Sequence, residues 1–162
     1  MRVRLARPSD AEAIRAIYNA EVTGSTSTFD LVPRTAAEQL AWLGDHRGPY
    51  PAIVAVDDAD QVLAFGSLSV FRDRPAYATT VENSVYVGAA HRGLGVGRVL
   101  LEELISLATQ HGFHCVVARI GGDNGASIQL HRACGFETVG IEREVGRKFN
   151  RWLDVAVLQR ML

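Results

Sequence analysis

The chain has 162 residues, 48% of them hydrophobic and 22% charged, with a formal net charge of -1 at pH 7. That length and apolar content suit one domain, residues 1–162, with a full core. The near-neutral balance excludes the basic field that drives nonspecific nucleic-acid binding. No apolar run approaches the roughly 20 residues needed to cross a bilayer, and the N-terminal MRVRLARPSDAEAI lacks a signal peptide's apolar centre, so a cytoplasmic protein free of membrane is expected.

The first strand is predicted over Arg2–Arg7. Ser9 and Glu12 then have the spacing of a capping box, starting a helix whose Ile14, Ile17 and Tyr18 face the core. After a polar loop, Thr23–Thr28, and Phe29, a second helix is predicted from about Thr35 to His46, with Leu40 and Leu43 at helical intervals. Ala52–Val56 and Val62–Val70 read as strands joined tightly through Asp57-Asp58-Ala59-Asp60, a hairpin.

Thr79–Val87 is the next strand. It leads to Arg92-Gly93-Leu94-Gly95-Val96-Gly97, a turn stripped of side chains by alternating glycines. Val96, Leu100, Leu104, Leu107 and His111 then recur at helical spacing, and Gly112 ends the helix. A glycine-rich turn opening a helix presents backbone N–H groups and the positive end of the helix dipole, which suits a pyrophosphate. Arg92 and Arg98 add charge there. The run lacks the Gly-Lys-Ser/Thr ending of a P-loop and does not fit G-x-G-x-x-G, so neither an NTPase nor a dinucleotide enzyme is favoured. A plain strand-to-helix turn is the alternative.

Cys115–Ile120 follows as a strand, expected parallel to the one before the loop. Asn124–Cys134 reads as a short helix stopped by Gly135, and Phe136–Glu144 with Trp152–Leu158 as a final antiparallel pair. Cys115 and Cys134 form no disulfide framework and are expected reduced and buried. Cys134, three residues after His131, has the alternative of a helix-borne nucleophile. His111 and His114 straddle Gly112 without further ligands at useful spacing, so no metal is expected.

The order strand, glycine loop, helix, strand, Asn-led helix and Gly135-Phe136 resembles the GCN5-related N-acetyltransferase (GNAT) superfamily, whose cofactor motif R/Q-x-x-G-x-G/A is matched by Arg92, Gly95 and Gly97. The segment Thr80-Val81-Glu82-Asn83-Ser84-Val85-Tyr86-Val87, the run Asn124–Phe136, and Gly146, Lys148, Phe149, Trp152, Asp154 and Gln159 in order are similar to its phosphinothricin/methionine sulfoximine acetyltransferase branch. The resemblance implies an α+β fold with a mixed, mostly antiparallel sheet of about six to seven strands, flanked by helices and splayed where acetyl-CoA binds. It also implies a homodimer, acetyl-CoA as cosubstrate, and acetylation of the α-amine of a small amino acid or analogue by direct transfer. A protein N-terminus or another metabolite amine is the alternative acceptor, and a noncatalytic acyl-CoA sensor the alternative of another class.

Residue by residue, the resemblance assigns cofactor binding to Val85, Tyr86 and Val87 on the splayed strand, to the loop Arg92, Gly93, Leu94, Gly95, Val96, Gly97 and Arg98, and to Asn124. Glu82 interrupts a strand of Val, Thr and Tyr; its family counterpart is a general base, whereas a solvated strand face is the alternative. His131, two helical turns after Asn124, lies on the same stripe. Its imidazole is expected in acid–base work near neutral pH, with a core histidine as the alternative. Arg72, Arg74 and Tyr77 are expected to hold an amino-acid carboxylate, against a solvated loop. Phe29 is expected to close the acceptor pocket, against a core role.

Overall fold

The computed structural model describes residues 1–162. Seven strands form one sheet: β1 (Arg2–Leu5), β2 (Ala52–Val56), β3 (Val62–Val70), β4 (Thr80–Val87), β5 (Cys115–Gly121), β6 (Glu137–Lys148) and β7 (Arg151–Met161). Four α-helices accompany them: α1 (Ala11–Gly24), α2 (Ala36–Asp45), α3 (Val96–Gln110) and α4 (Gly125–Ala133). The strand order is β1-β2-β3-β4-β5-β7-β6, antiparallel throughout except for the parallel pair β4/β5. This is the α+β architecture expected, with the last two strands, β6 and β7, longer and β1 shorter than the sequence pattern marked.

The period of two along β2 shows why the sheet is covered on both sides. Ile53 and Ala55 join a cluster with Leu100, Leu101 and Leu104 of α3, while Val54 and Val56 join Ile14, Tyr18 and Val22 of α1. All five β2 residues are consequently buried. Toward the other end of the sheet, α4 covers the α3 side and the α1–α2 loop reaches over the opposite face.

Three local expectations are corrected. Ser9 and Glu12 form no capping box: Asp10 accepts the Arg7 amide at 2.7 Å and takes two Arg4 contacts at 2.7 and 3.0 Å, while Glu12 pairs with Arg15. A buried carboxylate with an arginine partner outcompetes a solvated serine cap. The box that does form joins Thr35 and Glu38 at the start of α2.

In α2 the buried contact is Gln39, not Leu40, which is 51% exposed. The inward stripe runs through Gln39, Trp42, Leu43 and His46, because Trp42 packs against Phe65 and stacks on His46. In α3 the stripe drifts to Leu101, Ile105 and Ala108, leaving Leu107 half-buried and His111 exposed. A helix covering a broad sheet buries more than a single i, i+4 row.

Candidate active site

β4 and β5 pair only over Thr80–Cys115, Val81–Val116 and Glu82–Val117. Beyond Glu82, β4 stays with β3 while β5 stays with β7 as far as Gly121. The β5-facing backbone of Asn83–Val87 therefore has no strand partner, and a cleft of about 480 Å³ opens along it. An unpaired edge of this kind accepts an extended ligand as an added strand.

The glycine loop closes one end. Gly93 and Gly95 have φ of 75° and 80°, a left-handed backbone that glycine adopts without strain. Gly95 is the N-cap of α3, and no side chain caps the helix there. Free N–H donors thus face the cleft at the positive end of the dipole. Edge strand, uncapped helix and turn together fit a ligand with an anionic phosphate end and a long amide-bearing arm, as acetyl-CoA has.

The cleft brings together Val85, Tyr86, Val87, Arg92, Gly93, Gly95, Val96, Gly97, Arg98, Asn124 and His131. Leu94 points away and is 70% exposed. Tyr86 contributes backbone only, since its ring stacks on Phe65 and meets Tyr18 edge-on on the α1 side. Burial pushes its hydroxyl well above the ordinary tyrosine range. The two loop arginines hold carboxylates of the chain itself: Arg92 bonds Glu21 and the Val87 carbonyl, and Arg98 bonds Glu102 at 2.8 Å. Asn124 caps α4 by accepting the Ser127 amide at 3.1 Å, and its NH2 donates to Ser27 at 3.4 Å.

Glu82 stands on the α1-side face at the point where the strands part, half-buried. Desolvation raises its pKa, opposed by the Arg119 cation and reinforced by the Glu142 carboxylate. Register explains the grouping. Arg119 is two residues beyond Glu82's partner Val117; it pairs with Val157 on β7, and Glu142 pairs with Val155, so all three charges share one face. Arg119 and Glu142 are themselves hydrogen-bonded.

His131 is 4% exposed, and both ring nitrogens are occupied. Nδ1 donates to the Ser127 carbonyl at 2.8 Å, and Nε2 accepts from Asn83 at 3.0 Å. Burial lowers its pKa, against the raising effect of the Ser127 carbonyl.

The expected acceptor residues do not line this cleft. Arg72, Arg74 and Tyr77 border a separate depression with Val70, Phe71 and Asp73. Arg72 donates to the Tyr77 hydroxyl at 3.2 Å, with its guanidinium over Phe71 and Tyr77. Phe29 lies against two strand glycines: a Cβ on Gly121 or Gly146 would come within 2.5 or 2.2 Å of its ring. The ring thereby seats the α1–α2 loop on β5 and β6.

Four functional candidates escaped the sequence reading. Asn83 and Arg119 sit in strand runs whose faces only register reveals. Glu21 lies 71 residues from Arg92. Lys148, 4% exposed, donates to the Thr28 carbonyl at 2.8 Å and the Glu21 carbonyl at 3.4 Å, tying the loop to β6. Cys115 and Cys134 are free and buried, with thiol pKa values raised by desolvation. No group of three or more His, Cys, Asp or Glu side chains is placed to hold a metal, and no helix is long and apolar enough to cross a membrane.

The Acetyltransferase (GNAT) domain family matches residues 3–157. An L-methionine sulfoximine/L-methionine sulfone acetyltransferase of Pseudomonas aeruginosa is 42% identical over 97% of this chain and 92% of its own length. A phosphinothricin N-acetyltransferase of Streptomyces coelicolor is 39% identical over 100% and 96%. A phosphinothricin acetyltransferase of Sinorhizobium meliloti, solved in complex with acetyl-CoA, superposes with a TM-score of 0.96 at 39% identity, covering 99% of this chain and 88% of that one. A cleft opened by strand divergence beside an uncapped glycine turn, found across the full length of a matching sequence, makes this chain a member of the GNAT acetyltransferase family.

Proposed function

We propose that this acetyltransferase acetylates the α-amino group of a small amino acid or analogue, of the methionine sulfoximine, methionine sulfone or phosphinothricin type, by direct transfer within a ternary complex. The observation that carries the reading is Glu82, a half-buried carboxylate at the last paired position before β4 and β5 part, next to the cleft-lining Asn83. The names of the two curated relatives support the acceptor class.

Bound acetyl-CoA supplies an activated acetyl thioester. The chain's residues supply the rest. The N–H groups of the loop from Gly93 to Gly97, at the start of α3, bind phosphate, and the freed edge at Val85, Tyr86 and Val87 holds the arm and presents N–H donors to developing negative charge. Glu82 takes the ammonium proton of the acceptor, directly or through water, and its raised pKa matches that task. Phe29 packs on Gly121 at the edge of the cleft, and the Arg72, Arg74 and Tyr77 segment offers cations for the acceptor's carboxylate from a depression separate from the cleft. His131, its ring held by the Ser127 carbonyl and Asn83, is the second acid–base group of the reading.

A homodimer fits the same reading. β6 is an edge strand, and with β7 it exposes Val139, Ile141, Val145, Phe149 and Trp152, a large apolar area for a free surface. Light scattering at micromolar concentration is expected to give twice the chain mass. A cytoplasmic location completes the proposal.

The test is release of CoA thiol from acetyl-CoA with phosphinothricin, methionine sulfoximine, methionine sulfone, ordinary amino acids and a peptide N-terminus, each product confirmed by mass. Turnover confined to the peptide would move the acceptor class; acetyl-CoA binding without any turnover would make the protein a sensor.

A further inference from the structure

The face that carries Glu82 continues along β5. Val116, Ala118 and Ile120 belong to the core under α3, so Val117, Arg119 and Gly121 turn to the opposite side, which Glu82 shares. Val117 is the strand partner of Glu82, and Phe29 lies against Gly121. Arg119 therefore stands between Glu82 and the Phe29 ring, about 7 Å along the strand from the level of Glu82. It is among the residues that line the cleft.

The guanidinium is not used up inside the chain. Its Nη2 bonds Glu142, whereas Nε and Nη1 make no hydrogen bond, and the side chain is 43% exposed. Donors thus remain for a second carboxylate. Arg119 is also the cation whose charge acts on Glu82. The other arginines on the cleft, Arg92 and Arg98, belong to the glycine loop and hold Glu21 and Glu102.

A zwitterionic amino acid fits this arrangement of a cation flanked by two carboxylates, Glu82 and Glu142. Its ammonium and carboxylate are borne on one carbon, so a cation that holds the carboxylate must stand close to the base that takes the ammonium proton. Arg119 meets that condition on the face of Glu82 itself, while Arg72, Arg74 and Tyr77 border their own depression.

We propose that Arg119 binds the α-carboxylate of the acceptor while Glu82 receives its amine, so that the site selects a free α-amino acid over a peptide N-terminus or a simple amine. The proposal rests on the reading of Glu82 as the base of an amino-acid acetyltransferase.

The test compares methionine sulfone, whose α-carboxylate is its only anionic group, with methionine sulfone amide, by kcat/KM for the acceptor from CoA thiol release at saturating acetyl-CoA. The chains are wild type, Arg119→Leu, Arg119→Lys and the Arg72→Ala/Arg74→Ala double variant, each checked for a cooperative melt and for CoA affinity by calorimetry. Rates are taken on the plateau above the acidic limb of each pH profile, where Glu82 is ionised in every variant. The different basicity of the two amines cancels when variants are compared. Arg119→Leu is expected to lose about 30-fold on the acid, the scale of a charged hydrogen bond, and less than about threefold on the amide. Arg119→Lys keeps the charge without the planar fork and retains part of the preference.

Equal losses on acid and amide in Arg119→Leu overturn the contact. So does a preference for the acid that is lost in Arg72→Ala/Arg74→Ala and kept in Arg119→Leu, which would assign the carboxylate to that segment. A wild-type chain that acetylates neither compound overturns the amino-acid reading itself, a result distinct from the other two.

Discussion

Arg92 opens the glycine loop, yet its guanidinium bonds Glu21 on α1, and its Nε donates to the Val87 carbonyl at 3.2 Å. The pair joins α1 to the end of the splayed strand. Its members are unequal, with side-chain exposures of 53% for Arg92 and 10% for Glu21. Removing the exposed partner strands a buried carboxylate, whereas removing the buried one frees an arginine to water. Arg92→Ala is expected to cost about 2 kcal/mol of stability and Glu21→Gln about 1 kcal/mol or less, by urea denaturation. Equal costs would show that the pair does not brace the loop.

Glu82→Gln is expected to lower kcat by about 10²- to 10³-fold, the usual scale for loss of a general base, while CoA affinity is retained. Single-turnover rates and calorimetry separate the two. Wild-type turnover in this variant would remove Glu82 as the base.

The Arg119 cation holds down a pKa that burial raises. As the proposed base, Glu82 works as the carboxylate, so kcat/KM is expected to fall as pH drops through that pKa. Arg119→Leu is expected to move the acidic limb of the pH profile to higher pH, and Arg119→Lys to leave it near its wild-type position. A limb that stays put in Arg119→Leu would mean that another group sets it.

Gly95 and Gly97 are required for different reasons. Gly95, at φ 80° with open space around it, is needed for backbone conformation; Gly95→Ala costs about 1 kcal/mol of loop strain and several-fold in CoA affinity. Gly97 is needed for space, its Cβ position lying 3.2 Å from Leu130 and 3.4 Å from Val87. Adding Leu130→Ala should therefore recover CoA binding lost in Gly97→Ala but do nothing for Gly95→Ala.

Lys148 ties the α1–α2 loop to β6 through two carbonyls. Lys148→Met keeps the stem and loses the donors, so faster amide exchange over residues 25–30 and a loss of about 1–2 kcal/mol are expected. Burial lowers the Lys148 pKa, so the unfolded chain binds the extra proton. The stability of wild type relative to Lys148→Met should thus grow as pH rises toward the ordinary lysine value of 10.5.

Much of this was legible without coordinates. Periodicity and turn residues placed all seven strands and four helices, because alternation in β2 and i, i+4 rows in α3 are local signals. The glycine loop was readable for the same reason: Gly93 and Gly95 announce a left-handed backbone by residue type alone. Boundaries and helix phase were less so, as Leu40 and Gln39 show, since which stripe faces inward depends on what Trp42 meets across the layer.

The sequence by itself determined the elements, the glycine turn and the family, all carried by residues near one another in the chain or by an ordered set of them. Only the tertiary structure decided which side chains meet. Glu82 gains Arg119 and Glu142 through the register of β4, β5, β7 and β6, Glu21 meets Arg92 across 71 residues, and His131 is fixed by Asn83 across 48. Face and register are properties of paired strands, and burial, which raises one pKa and lowers another, exists only once the layers have closed.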